Sequence, residues 1–328
     1  MQFRTITKIE PFTTKIGYDE KILSLGSCFA DNIAQRLHRA KFMVTVSPTG
    51  VLFNPSSIAS TIERMAAIAN NAEALPQHGE LQESNGLWYS YDFHSSMSAN
   101  DAATALNNMH EALKCGAEAL QTADVVIITF GTAFVYRLND TGKVVANCHK
   151  QPHAIFDREM LDIEQITKPW QRLLKSILAN KRVIFTVSPV RHLGDGLEQN
   201  SLSKAILRVA IEQIVRHCPN ASYFPSYEIV MDELRDYRFY ADDMAHPATI
   251  AVNYIWQRFC EAAFTQETID SISSVERIVR ASEHRPLNGA SEAHRNFCRS
   301  QLKLIAHLEQ EFTTMDWSKE KAVFENYL

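Results

Sequence analysis

Three short runs carry aliphatic and β-branched residues with no helical gaps between them: residues 21–25 (KILSL), 124–130 (DVVIITF) and 182–188 (RVIFTVS). Unbroken apolar runs of this length predict strands buried on both faces. Residues 43–46 and 221–224 are weaker examples of the same pattern. Each strong run closes on small or turn-forming residues, Gly26-Ser27, Gly131-Thr132 and Ser188-Pro189. Between the runs the period changes to that of a helix. Phe29, Ile33 and Leu37 form one apolar stripe on a helix starting just after Ser27. Residues 55–69, 101–120, 160–179 and 201–217 also read as helices, and Pro247 suits the first turn of another running through Ile250, Ile255 and Phe259. Strands that alternate with helices predict an α/β fold, a mainly parallel sheet covered on both faces.

Two stretches break the rhythm. Residues 75–99 form a long connection holding Trp88, Tyr89, Tyr91, Phe93 and His94, and loops of that length are often lids or binding segments. Residues 134–138 and 143–146, joined by Asn139-Asp140-Thr141-Gly142, predict a β-hairpin. After Thr265 the chain is helical and charged, notably over 292–312, and is expected to pack on the outside of the core. This divides the chain into an α/β domain, 1–265, carrying the inserted loop 75–99 and hairpin 134–146, and a helical extension, 266–328.

Composition narrows the function classes. A formal net charge of −5 across 328 residues gives no general pull towards nucleic acid or an anionic membrane. The six cysteines are widely spread with no Cys-x-x-Cys pair, which suits free thiols in a reducing compartment. The first 21 residues alternate polar and apolar and show no continuous apolar leader, so a cytoplasmic protein is expected. Gly-x-x-x-x-Gly-Lys and Gly-x-Gly-x-x-Gly are both missing, so ATP and NAD have no support. Cys148, His149 and His153 are interrupted by Pro152, and no carboxylate pattern completes a zinc set, so neither metal nor other cofactor is expected.

The chemistry concentrates in two places. In Leu25-Gly26-Ser27-Cys28-Phe29 a buried strand feeds a tight turn and a helix begins at once. The carboxyl ends of parallel strands are where ligands bind, and a helix N-terminus stabilises negative charge there. For a cysteine that placement is expected to lower the thiol pKa. The competing reading makes Gly26 a turn, Ser27 a cap and Cys28 a filler of apolar space. Far downstream, Asp243-Met244-Ala245-His246-Pro247 places an Asp three residues before a His. The carboxylate can orient the imidazole, which can act as base towards a nucleophile from another strand end. The competing role of Asp243 is helix capping ahead of Pro247.

The hexapeptide Leu25-Gly26-Ser27-Cys28-Phe29-Ala30 resembles the signature of the GSCFA family, a bacterial group related to the SGNH (GDSL-like) hydrolases. The resemblance extends over residues 21–264. It includes Phe53-Asn54-Pro55, Phe93-His94-Ser95, Phe130-Gly131-Thr132-Ala133, Asn147-Cys148-His149-Lys150, Ser188-Pro189-Val190-Arg191 and residues 243–247. It implies a three-layer α/β/α sandwich, a nucleophile after the first strand, oxyanion donors after the second and third, and Asp-x-x-His near the end. Gly50 would then offer a backbone N–H, and Gly131 matches the glycine opening the third block. Where related enzymes carry an asparagine two residues later, this chain has Ala133, so the donor falls to Thr132, Asn54 or Asn147. Laid without gaps on Gly-Asp-Ser, the chain puts Cys28 at the nucleophile position; a shift of one puts Ser27 there. His94 and His149 are candidates for holding polar groups of a substrate, and His192 is a similar strand-end candidate. The implied activity is hydrolysis or transfer of an O-acyl group, carbohydrate esters among the substrates, with oligomeric state left open. The alternative is a non-catalytic glycan- or acyl-binding protein on the same scaffold.

Overall fold

The computed structural model describes residues 4–68, 74–286 and 291–328. The chain enters a sheet through β1 (Lys21–Gly26), crosses by α1 (Cys28–Arg39) to β2 (Met43–Val46), and leaves along α2 (Pro55–Ile68). A hairpin of β3 (Gln82–Ser84) and β4 (Leu87–Tyr89) precedes α3 (Ala102–Thr122) and β5 (Val125–Phe130). Next come β6 (Phe134–Leu138), β7 (Val144–Val145) and β8 (Phe156–Met160), then α4 (Ile163–Lys175) and β9 (Arg182–Val187). α5 (Leu197–His217), β10 (Ala221–Tyr223), the short α6 (Ser226–Glu228) and α7 (Thr249–Ala263) complete the α/β part. The tail forms α8 (Gln266–Glu283), α9 (Glu292–Glu311) and α10 (Ser318–Glu325).

Among the described residues, five strands make one parallel sheet in the order β10-β9-β5-β1-β2. The order reverses between β1 and β5. From β1 the chain steps outward to β2 through α1 on one face, then returns by α2 and α3 on the other. Such a switch point opens a crevice at the carboxyl ends of its two strands.

The apolar runs lack polar gaps because each strand supplies two cores. Leu23, Leu25, Val126, Ile128, Val183 and Phe185 pack with Ile62, Met109, Leu113 and Ile211 of the helices on one face. Ile22, Val125, Ile127 and Ile184 point the other way, towards Phe29, Ile33 and Leu37 of α1 and Ile255 and Phe259 of α7. The fold is therefore the expected three-layer α/β/α sandwich. Its short edge strands, β2 and β10, are the two that were weakest in the sequence.

The tail departs from expectation. Ile272, Val275, Cys298, Ile305, Trp317 and Phe324 are buried in the same cluster as α1 and α7, so the tail completes the second core instead of lying outside it. Phe312 meets Tyr18 at 4.7 Å between ring centres, and Lys41 pairs with Glu320 at 2.6 Å.

Helix boundaries moved where a cap decided them. The helix expected from Met160 starts at Ile163, because Asp162 accepts the Gln165 N–H at 2.7 Å and Gln165 reaches back to the Asp162 N–H at 2.8 Å. Met160 belongs to β8, which pairs antiparallel with β6 opposite β7. The expected hairpin thus has a third strand; its sequence FDREM is half exposed and carries no apolar run. α5 begins at Leu197, four residues before the expected start. Pro247 precedes α7 and bridges to Tyr240 instead of opening the helix. Position 69, at the end of the second expected helix, lies outside the described residues. Among the described residues no helix is long and apolar enough to cross a membrane.

Candidate active site

β1 ends on a residue that must be glycine. Gly26 has φ +133°, and a Cβ there would fall 2.2 Å from the Thr129 carbonyl oxygen of β5. Only without a side chain can the end of β1 lie this close to its neighbour. The Ser27 N–H then donates to that same Thr129 carbonyl at 3.1 Å, and α1 starts at Cys28. The turn therefore sits at the switch point of the sheet.

Ser27 and Cys28 point to different places. Ser27 is 1 % exposed, its hydroxyl has no hydrogen-bond partner among the described residues, and a Cβ on Gly131 would come within 3.1 Å of Ser27 Cβ. Cys28 is half-buried and faces His246, with Sγ 3.7 Å from Nε2. The geometry brings Cys28, not Ser27, to the imidazole.

The second element is a loop built by one left-handed residue, Met244, at φ +56°. Asp243 Oδ1 accepts the N–H groups of Ala245 and His246, both at 2.9 Å, while Oδ2 lies 2.6 Å from His246 Nδ1. Those hydrogen bonds, the His246 and Ala245 backbone donors first, hold the Asp243 carboxyl down at about 2. Asp243 thus caps its own loop and orients the imidazole with one carboxylate. The loop is fastened at two points. Ala241 N–H donates to His246 O at 2.7 Å, and Arg191 N–H, beyond β9, donates to Ala245 O at 3.1 Å.

The thiol does not behave as the helix N-terminus alone would dictate. Burial pushes Cys28 up and the Asp31 carboxylate adds to the rise. Lys204 and the backbone N–H groups of Cys28 and Phe29 oppose it without reversing it. The expected depression is corrected on that account: a half-buried thiolate loses more hydration than two peptide dipoles return.

Several expected oxyanion donors are already committed. The Gly50 N–H donates to Ser47 O at 2.7 Å in a tight turn. The purpose of Gly50 is space, since a Cβ at its φ of +83° would sit 2.3 Å from His94 Cβ. The N–H groups of Gly131 and Thr132 both donate to Phe53 O, at 2.8 and 3.0 Å. The Thr132 hydroxyl is engaged with Ser203 Oγ at 3.1 Å and accepts the Phe134 N–H. Asn54 caps α2, accepting the Ser57 N–H at 2.8 Å and donating to Ser57 Oγ at 3.0 Å. Asn147 is held only through its acceptor, Oδ1 taking the His149 N–H at 2.7 Å, so its side-chain NH2 is not committed by that bond. What remains beside the thiol is the start of α1, where the Cys28 and Phe29 N–H groups face the sulfur.

His149 proves to be a clamp. Its Nε2 lies 2.9 Å from Ser90 O and 3.1 Å from Phe93 O, and its ring stacks on Tyr89 at 4.4 Å. Burial lowers its pKa, so the neutral ring donates one N–H to that pair of carbonyls. Its target, the long loop, meets expectation in part. His94 packs on Gly50 and acts electrostatically on Asp31 of α1, so it borders the nucleophile's helix. Trp88, Tyr89 and Tyr91 instead pack against His78, His149 and Phe156, and Trp88 also packs on the main core.

A cavity of about 290 Å³ opens on the same edge of the sheet, lined by Phe53, Asn54, Phe134, Tyr136, Asn147 and His192 among others. His192, drawn down to about 4 by burial and by Lys204, presents a neutral imidazole to it. A larger cavity, about 600 Å³, lies by the amino ends of the strands near Val125, Arg182 and Ala221, and neither cavity is lined by Cys28, Asp243 or His246. Among the described residues no three His, Cys, Asp or Glu side chains are grouped to hold a metal ion. A second Cys–His contact, Cys298 Sγ to His294 Nε2 at 3.5 Å, joins successive turns of α9 and is packed into the tail's core.

The residue that sequence reasoning missed is Lys204. Its signal was available: it falls in step with Leu207, Ile211 and Ile214 on the buried stripe of α5. A charge on an apolar stripe demands an explanation.

The family model described as the GSCFA family matches residues 21–259. A second, described as GSCFA domain protein, C-terminal domain, matches residues 275–328. No curated protein matches the chain.

Proposed function

The chain belongs to the GSCFA family, and from that footing we propose that it transfers or hydrolyses O-acyl groups by a Cys-His-Asp mechanism of the SGNH type. The observation that carries this reading is the line Cys28 Sγ–His246 Nε2–Nδ1–Asp243 Oδ2, with spacings of 3.7 and 2.6 Å. Nucleophile, base and orienting carboxylate arrive from chain segments more than two hundred residues apart, at the switch point where such folds bind ligands.

In the proposed cycle Cys28 Sγ adds to the ester carbonyl carbon as its proton passes to His246 Nε2. Asp243, held ionised by its backbone donors, stabilises the imidazolium. The carbonyl oxygen becomes an oxyanion beside the N–H groups of Cys28 and Phe29. Collapse expels the alkoxide, which takes the proton back from His246, and leaves a thioester on Cys28. Water or an acceptor hydroxyl, deprotonated by His246, then attacks the thioester and regenerates the thiol. The adjacent cavity, with Phe53, Phe134 and Tyr136 among Asn54, Asn147 and His192, suits a small polar-apolar group such as an acylated sugar ring.

The test is to mix the chain with p-nitrophenyl acetate and follow p-nitrophenol release and protein mass together. The expected result is a burst of one product per chain and one hydroxylamine-labile acetyl group on the Cys28 peptide, both abolished by His246→Ala. Release that continues unchanged in Cys28→Ala, with no acyl adduct in the parent chain, would overturn the mechanism and favour a binding protein.

A further inference from the structure

The outer face of α1 carries a stripe of polar residues that the proposed cycle does not use. Cys28, Asn32, Gln35, Arg36 and Arg39 follow one another at helical spacing, so they share one side of α1 and run down it from the nucleophile. From Asn32 onward that side walls a cleft of about 480 Å³. A second wall is the start of α7, where Pro247 directly follows His246 and Thr249 opens the helix. The third is α8 of the tail, through Glu276 and Arg280. The cleft therefore begins one helical turn from the thiol and one residue from the base, at a seam between structural units where ligand sites are common.

Two features make this cleft more than the joint between tail and sheet. The first is its charge. Three arginines line it against one carboxylate, Glu276, with Glu283 behind Arg39, so the cleft is positive on a chain of net charge −5. The second is that the fold leaves these groups uncommitted. Arg39 engages both oxygens of Glu283, but Arg36 donates only to the side-chain oxygen of Asn253. Arg280 makes no hydrogen bond or ion pair among the described residues, and neither do the side chains of Asn32, Gln35 and Thr249. Guanidinium matches the paired oxygens of carboxylate and phosphate, while amides and hydroxyls serve hydroxyl groups. The cavity of about 290 Å³ differs on this point. It reaches the strand-end turn through Thr132, next to the Gly131 that packs on Ser27, and its own arginine, Arg158, is already paired with Asp195.

We propose that the cleft between α1, α7 and α8 binds the anionic end of the alcohol whose acyl group passes through Cys28, so that the substrates are O-acyl esters of hydroxyl compounds bearing a carboxylate or phosphate, such as a sugar acid or a sugar phosphate. Arg36 and Arg280 hold the anion, and Asn32, Gln35 and Thr249 take neighbouring hydroxyls. The reacting hydroxyl is thereby directed up the stripe towards Cys28. In transfer its oxygen bonds to the acyl carbon as the carbon–sulfur bond breaks, and its proton passes through His246 to the departing sulfur. The tail gains a task in this arrangement, since α8 supplies Arg280.

The inference rests on the acyl-transfer reading for the reaction, but binding is measurable without turnover, so the two fail separately. Isothermal titration calorimetry of the full chain compares D-glucuronate and D-glucose 6-phosphate with neutral D-glucose at low and high salt. At least one anion is expected to bind about tenfold or more tighter than glucose, to weaken as salt rises, and to lose about tenfold in Arg280→Met and in Arg36→Met. The tighter of the two identifies the anion as carboxylate or phosphate. Arg277→Met removes a charge from the same helix that does not line the cleft, and is expected to keep the parent's affinity. Equal affinity for all three sugars, no saturable binding of either anion, or an equal loss in Arg277→Met overturns the proposal. On the chain acetylated at Cys28, the bound anion is expected to remove the acetyl group faster than glucose does at equal concentration; removal no faster than with glucose overturns the assignment of the cleft to the reacting alcohol. A chain that binds the anion as expected yet never carries an acetyl group on Cys28 keeps the cleft as an anion site and discards the acyl chemistry. Acetylation of Cys28 without anion binding does the reverse.

Discussion

Lys204→Met has a consequence in folding stability whose pH dependence follows from burial. Lys204 is fully buried, and loss of hydration draws its ammonium from 10.5 down to about 7 in the folded chain. In the unfolded chain it titrates near ~10.4. Between those values the unfolded chain holds a proton that the folded chain has released, so stability rises with pH through that window. Below about pH 7 both states carry the charge, and the folded state bears the full cost of burying it. Each pH unit inside the window is worth about 1.4 kcal/mol, so the parent gains about 2–3 kcal/mol between pH 6 and pH 9 that Lys204→Met cannot gain. The variant also leaves the Gly131 and Ser188 carbonyls without their donor. That loss is about 1–3 kcal/mol per group and independent of pH, so the informative quantity is the change in the gap. Urea unfolding of both chains at pH 6, 7.5 and 9, under reductant and at constant ionic strength, measures it. The expected outcome is that the variant's standing relative to the parent worsens by about 2–3 kcal/mol from pH 6 to pH 9. A gap constant to within about 0.5 kcal/mol would show that the amine does not titrate in this window, and the burial argument would fail.

Other expectations are equally checkable. Gly26→Ala, at φ +133° and with its Cβ 2.2 Å from Thr129 O, should cost more than about 3 kcal/mol in urea unfolding. Gly79→Ala, which meets nothing within 4 Å, should stay within about 0.5 kcal/mol of the parent. Trp317→Ala should lower stability by about 3–5 kcal/mol in one cooperative transition, because Trp317 is 1 % exposed in a core shared with α1 and α7. A separate early melting of the tail would contradict that sharing. Asp243→Asn should slow acyl-enzyme formation by about 10³–10⁴-fold without unfolding the chain.

The sequence by itself determined the elements whose signal is local. Runs such as DVVIITF had to be strands buried on both faces, because apolar residues at every position leave no face for water. Gly26 between such a run and the stripe of Phe29, Ile33 and Leu37 marked a strand-to-helix turn, and alternation of the two patterns implied the layered parallel sheet. The Asp243–His246 pair was legible too, since three residues of loop bring one side chain to the other. What the tertiary structure alone decided depends on direction and on partners far along the chain. Successive side chains at a strand-to-helix junction diverge, so whether Ser27 or Cys28 meets His246 is set by how β1 lies on β5 and where the loop after Tyr240 is fastened. The N–H groups of Gly50, Gly131 and Thr132 looked free in sequence, yet carbonyls of Ser47 and Phe53 had claimed them. The tail's charged helices hid an apolar face whose partner, around Tyr18 and Phe42, lies some three hundred residues earlier. Lys204 shows the division most plainly. Its position on an apolar stripe was written in the sequence, but its role required knowing that the stripe ends beneath the turns after β5 and β9, where its amine ties the Gly131 and Ser188 carbonyls.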